Sequence, residues 1–191
     1  MTVRVVIAED EAIIRLDLKE VLQEEGYEVV GETGRGDEAV ELVRTLRPDL
    51  AILDIKMPGM DGLAAAREIT GGRQAAVLIL TAFSQKNLIE EARDAGAMAY
   101  LVKPYQVSEL IPAIEVALGR FHEIQALEKE NRSLEEQLET RRVVARAKGL
   151  LMDSYRLSEG DAFRFIQQTA MRERLTMRAL AQRVLDGDLH P

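Results

Sequence analysis

The chain contains no cysteine and only two histidines, His122 and His190, which lie far apart in sequence. The first absence excludes a disulfide framework and any thiolate zinc site, and the second argues against a histidine-rich metal centre. Long hydrophobic runs are missing as well. The longest, such as Ala75 to Leu80, have the length of a strand and fall well short of the roughly 20 apolar residues that span a bilayer. No basic-then-apolar leader opens the sequence, and no segment recurs at a solenoid period. These absences predict a soluble, cytoplasmic protein with no membrane partner.

What is present suffices for one full core and a small second domain: 191 residues, 47% hydrophobic and 30% charged. The formal net charge of −8 is unevenly placed. Residues 1–140 hold 15 Lys and Arg against 27 Asp and Glu, a net of −12, whereas residues 141–191 hold 10 against 6, a net of +4. A basic tail on an acidic body has the electrostatic footprint of a polyanion-binding module, although a solvated helical surface has the same composition.

From Val3 to about Gly119, short β-branched runs alternate with amphipathic stretches. Strands are expected at 3–8, 27–32, 49–53, 76–80 and 98–102, with helices between them at about 11–25, 36–46, 62–70, 84–95 and 107–119. Five β-α units imply an α/β fold with a parallel sheet covered on both faces. Glycines such as Gly26, Gly71, Gly72 and Gly96 fall where helices should stop. From Arg120 through Lys148 there is neither Gly nor Pro, and helix-favouring residues dominate. Ile124, Leu127, Leu134 and Leu138 fall on an a/d register there, with Asn131 at an a position. That suits a short parallel dimer, or a single amphipathic spacer helix. Residues 141–188 read as three short helices, the second capped by Ser158 and the third opened around Thr176 and ended by Gly187. The expected domains are therefore 1–120, a helical linker at 121–140, and a small all-α module at 141–191.

The ends of the expected strands carry a consistent chemistry. Asp54 closes an apolar run, Glu9 and Asp10 follow the first strand, Thr81 ends the fourth, and Lys103-Pro104 follows the fifth. Open parallel sheets place their ligands at such ends. Phosphoryl transfer needs an in-line nucleophile, a divalent cation and positive groups on the equatorial oxygens. Asp54 supplies a carboxylate nucleophile. Glu9 and Asp10 supply the oxygen ligands that a hard Mg²⁺ ion prefers. Lys103 offers positive charge, and Thr81 a hydroxyl for one phosphoryl oxygen.

With these motifs in order, residues 1 to about 120 resemble a two-component receiver domain, which implies a flavodoxin-like doubly wound fold with five parallel strands. The resemblance implies that Asp54 is the phospho-acceptor, served by a sensor histidine kinase. Glu9, Asp10 and Asp54, with the backbone carbonyl of Lys56, would hold Mg²⁺, and Thr81 and Lys103 would hold the phosphoryl group. Tyr100 takes the switch-aromatic position, and the Lys103–Pro104 peptide would be cis. Such a chain is a regulator, not an enzyme.

Wound at about 100° per residue, 141–152 separates into two arcs. Val143, Val144, Ala147, Leu150 and Leu151 share one, and Arg141, Arg142, Arg146 and Lys148, with Gly149 among them, share the other. Gly149 costs helix stability, so it is expected to admit a close neighbour, either a helix or a phosphate backbone. The stretch Ala147-Lys148-Gly149-Leu150-Leu151-Met152, with Ala162-Phe163, Ala170 and Ala181, resembles the ANTAR module, an RNA-binding three-helix domain of transcription antiterminators. Gln167 departs from the Arg common in that family. The resemblance implies binding to RNA hairpin loops and control of antitermination; two routes for phosphorylation stay open, creation of a dimer and release of the output module from the receiver. Arg142, Arg146, Lys148 and Gly149 are the candidate RNA surface. Tyr155, Phe163 and Phe165 are candidate stacking platforms, Phe163 being expected mainly in the core. Two other readings share these residues: a DNA-binding regulator, for which the third helix offers few base-reading side chains, and a protein-interaction regulator that binds no nucleic acid.

Overall fold

Short apolar runs buried on both faces are what organise the first half of the molecule. In the computed structural model, which describes residues 2–190, five strands form one parallel sheet: β1 (Arg4–Ala8), β2 (Glu28–Thr33), β3 (Leu50–Leu53), β4 (Ala76–Thr81) and β5 (Ala99–Val102). Their order is β2-β1-β3-β4-β5. Between them run α1 (Ala12–Glu24), α2 (Gly36–Leu46), α3 (Gly62–Gly71), α4 (Lys86–Asp94) and the start of α5 (Val107–Tyr155). Because successive strand residues point to opposite faces, the core divides in two. Val6, Ala8, Ala51, Leu53, Val77 and Ile79 pack with α2, α3 and α4. Val5, Ile7, Leu50, Ile52, Leu78 and Leu80 pack against Leu18 and Leu22 of α1 and Leu110, Ile114 and Phe121 of α5.

Gly26, Gly71, Gly72 and Gly96 do stand at helix ends, but glycine is not always the residue in the left-handed region. Gly26 and Gly96 do adopt positive φ, but α2 and α6 (Glu159–Glu173) end on Arg47 and Arg174 in the left-handed region, and Arg73, not Gly71 or Gly72, takes it after α3. Asp61 caps α3 by accepting from the Ala64 N–H at 2.7 Å.

The larger difference lies after Gly119. The expected helix at 107–119, the helical linker at 121–140 and the first helix of the C-terminal module are not separate elements: they run as one helix of 49 residues to Tyr155. Nothing in 120–148 interrupts the backbone hydrogen-bond ladder, so the low-breaker composition prevails over the change in surface character. Two compact units result, Met1–Gln125 and Ala126–Pro191. In the second, Val143, Val144, Ala147 and Leu151 of α5 pack with Ala162, Ile166 and Ala170 of α6 and with Leu180, Ala181 and Val184 of α7 (Met177–Leu185). Ser158 caps α6 through the Asp161 N–H, Thr176 caps α7 through the Ala179 N–H, and Gly187 follows with positive φ, as expected from their sequence.

Candidate functional site

The sheet order brings the predicted residues of the first unit together. The strand sequence reverses between β1 and β3, and the crevice beyond such a switch point is open. Ala8 pairs with Leu53 in register, and the Asp54 N–H donates to the Ala8 carbonyl at 2.9 Å. The next side chains along both strands, Glu9 and Asp54, therefore stand side by side. The carboxylate oxygens of Glu9, Asp10 and Asp54 lie within 4.8 Å of one another. Glu9 is fully buried, Asp54 is 8% exposed and Asp10 is open to solvent. An all-oxygen set with one exposed member suits a hard divalent cation that keeps part of its water shell.

Lys103 reaches the acids from beyond β5. Its ammonium donates to Asp54 Oδ2 at 3.1 Å and to Glu9 Oε2. Burial by itself pushes the Lys103 ammonium towards the neutral form, but the hydrogen bond to Glu9 and the charges of Asp54 and Glu9 outweigh it and raise its pKa. Glu9 moves up as well: burial dominates, and the Asp54 charge adds to it against the pull of Lys103. The other Asp54 oxygen, Oδ1, accepts from the Ile55 N–H at 2.6 Å. Both oxygens are thus oriented, and each keeps a lone pair.

Thr81 closes β4 fully buried, and its hydroxyl has no hydrogen-bond partner among the described residues. A buried hydroxyl without a partner is costly unless an acceptor arrives to satisfy it. Tyr100, on β5, donates its hydroxyl to the Phe83 carbonyl at 2.6 Å in the segment following β4. The negative charge of Asp54 reaches Tyr100 too, raising the phenol's pKa after the larger effect of burial. Lys56 is exposed, its ammonium 4.3 Å from the centre of the Phe83 ring, and it shares a shallow depression with Asp10 and Asp61. The Lys103–Pro104 peptide is cis.

Three supporting residues escaped the sequence reading. Phe83 joins Lys56 to Tyr100, but an isolated aromatic in a loop carries no local signal. The Arg15 guanidinium donates to the Glu9 carbonyl, a contact made by the packing of α1. Gly62 admits the Asp54 backbone: a Cβ there would stand 1.8 Å from the Asp54 carbonyl oxygen. The Asp-Gly pair opening α3 was the available clue.

In the second unit Arg142 and Arg146 are exposed and make no ion pair among the described residues. Lys148 is different: its ammonium donates to Glu159 Oε1 at 2.6 Å, and its side chain is 22% exposed. Gly149 faces open space, since a Cβ there would meet nothing within 4 Å. No neighbouring helix accounts for it. Two side chains depart from the predicted arcs and core. Leu150, placed by its angle among the buried residues, is 39% exposed because the facing helices contact the arc centred on Ala147 and Leu151. Phe163 is also 39% exposed, its neighbour Ala162 taking the core position.

Comparisons with known proteins agree with this geometry. The sequence matches the response regulator receiver domain family over residues 5–115 and the ANTAR domain family over residues 132–185. It is 60% identical over 183 residues to the transcriptional regulatory protein PdtaR of Mycobacterium tuberculosis, covering 96% of this chain and 89% of that one. The chemotaxis protein CheY of Thermotoga maritima is 40% identical over 112 residues, 58% of this chain and 93% of that protein. Among solved structures, a DNA-binding response regulator of the LuxR family from Staphylococcus aureus superposes with a TM-score of 0.58 at 30% identity, covering 61% of this chain and 98% of that one. The response regulator domain of Thermotoga maritima CheB gives 0.58 at 27% identity, covering 62% and 98%. With the strand-end acids and the lysine in contact, the threonine at the end of the neighbouring strand, and a helical second unit matched by its own family, the chain belongs to the two-component response regulators that join a receiver domain to an ANTAR domain.

Proposed function

We propose that Asp54 accepts a phosphoryl group from the phosphohistidine of a sensor kinase in the cytoplasm, and that this controls binding of RNA hairpin loops by the C-terminal module and hence transcription antitermination. In the transfer, an Asp54 oxygen forms a bond to phosphorus as the bond from phosphorus to the donor imidazole breaks, the electron pair leaving with the imidazole nitrogen. The exposed apolar side chains Ile13 and Leu16 lie on α1, just after the Glu9-Asp10 pair. They offer a docking surface for the donor's helix.

Glu9, Asp10 and Asp54, together with the Lys56 carbonyl, would hold Mg²⁺. Bound there, the ion would neutralise charge on the phosphoryl oxygens and on the crowded acids. Lys103, already between Glu9 and Asp54, turns to the new oxygens. Thr81 would donate its hydroxyl to one of them, and the observation that supports this is that the hydroxyl, at the C-terminal end of β4, is buried and has no hydrogen-bond partner among the described residues. Drawing Thr81 inward moves the segment whose Phe83 carbonyl holds Tyr100, so a new charge at Asp54 is converted into a shift of a two-state surface around β5.

On the output side, Arg142 and Arg146 supply unpaired charge, Gly149 an open approach, and Lys148 a further cation. Exposed hairpin loops are where RNA sequence can be read, with Arg and Lys on phosphates. The exposed stripe of Ile124, Leu127, Leu134 and Leu138 is the proposed seam of a phosphorylation-dependent homodimer. Asp54→Asn should abolish labelling by a small phosphodonor in the presence of Mg²⁺, as followed by intact-mass spectrometry. Labelling that persists in this variant refutes the acceptor assignment.

A further inference from the structure

Beside the Lys148–Glu159 ion pair, the second unit has a mainly apolar cavity between α5, α6 and the start of α7. Its lining includes Val144, Ala145, Phe163 and Met177 together with the cationic side chains Arg141 and Lys148. Arg141, Val144, Ala145 and Lys148 are spaced i, i+3, i+4 and i+7, so they form one face of α5. Glu159 and Phe163 are likewise one turn apart on α6. The cavity therefore presents a part-exposed aromatic side chain and a flexible thioether between two cations on a net-basic module, which is the combination an unstacked base and its flanking phosphates require.

We propose that this cavity captures one flipped-out base of an RNA loop, stacked on Phe163, and that Glu159 is a gate residue that holds Lys148 until a phosphate replaces it. The inference rests on the RNA-binding reading and names the subsite within it. Glu159 is 70% exposed on its side chain, whereas Lys148 is only 22% exposed. The carboxylate is the partner free to swing into water, leaving the ammonium in place for the incoming phosphate. Arg142 and Arg146, exposed on the adjoining face of α5, extend the cationic surface along the strand that follows.

The test uses the full chain, with and without a small phosphodonor and Mg²⁺, and hairpin RNAs selected from a library with randomised loops. The selected loop is then made with 2-aminopurine at each position in turn. One loop position should show a fluorescence change on binding, and Phe163→Leu, which keeps apolar volume without an aromatic face, should remove that change and weaken binding about tenfold or more. Phe163→Tyr should restore both. Glu159→Gln should tighten binding by about threefold or more, because the competing carboxylate is gone. If wild type binds hairpins but Phe163→Leu leaves both affinity and every 2-aminopurine signal unchanged, the base-capture site is wrong while the RNA reading stands. Unchanged or weaker binding in Glu159→Gln overturns the gate. If no hairpin is bound in either phosphorylation state, the RNA reading itself falls, and the cavity assignment with it.

Discussion

Glu9 is the innermost of the three acids, and its position has a measurable electrostatic consequence. Burial raises its carboxyl above the ordinary value, and Asp54 adds to the shift. In the metal-free chain, the folded state therefore holds this proton more tightly than the unfolded state does. Glu9 favours folding below its unfolded pKa, and that contribution is lost as pH rises through its folded pKa. A divalent cation reverses the balance, since it requires the carboxylate ionised. The stabilisation by added Mg²⁺, read as a shift in thermal midpoint, should be largest near neutral pH and should shrink as acidification takes Glu9 through its raised value. Glu9→Gln should flatten that pH dependence. An equally steep profile in the variant would place the proton elsewhere.

At the scale of elements, close approach explains what side-chain chemistry alone does not. The N-terminus of α3 sits against the Asp54 carbonyl, and the Gly62 N–H donates to the Ile55 carbonyl at 2.8 Å. Gly62→Ala should cost about 2 kcal/mol or more in receiver stability, as measured by urea unfolding, because the added methyl meets backbone that cannot swing away. It should also slow phosphorylation, since any relief of the clash moves Asp54. In α5 the effect to test is association. Leu127→Lys and Leu134→Lys together should abolish self-association of the phosphorylated chain in sedimentation velocity while leaving the monomer folded, both side chains being exposed. Unchanged association in that double variant would rule out this stripe as the seam.

For the molecule as a whole, the proposed coupling between Asp54 and RNA would be a free energy shared by two sites, and therefore reciprocal. Couplings of this kind are typically about 1–3 kcal/mol, which corresponds to a roughly five- to 150-fold change in affinity. Phosphorylation should change hairpin affinity within that range, and bound hairpin should change the affinity for a beryllofluoride phosphoryl analogue by the same factor. Binding should weaken with added salt, and Arg146→Ala should make the log-log slope shallower by about one unit per lost phosphate contact. Equal affinity in both phosphorylation states would refute gating even with both domains correctly named.

Much of the receiver was legible because its signals are local and periodic. Short continuous runs of Val, Ile, Leu and Ala set the strands, and Asp54, Glu9, Asp10, Thr81 and Lys103 each sit directly at or after a strand end. Ser158 and Thr176 were likewise readable as caps, since capping is decided within four residues. By itself, then, the sequence determined which segments become strands and helices and which acids face a common crevice. Only the tertiary structure decided how burial and contact are distributed. It left the Thr81 hydroxyl buried without a partner among the described residues, tied Tyr100 to Phe83, joined 107–155 into one helix, turned Leu150 and Phe163 outward, and paired Lys148 with Glu159. The physical reason is range: caps and periodicity act between near neighbours along the chain, whereas burial and charge pairing depend on which elements pack together.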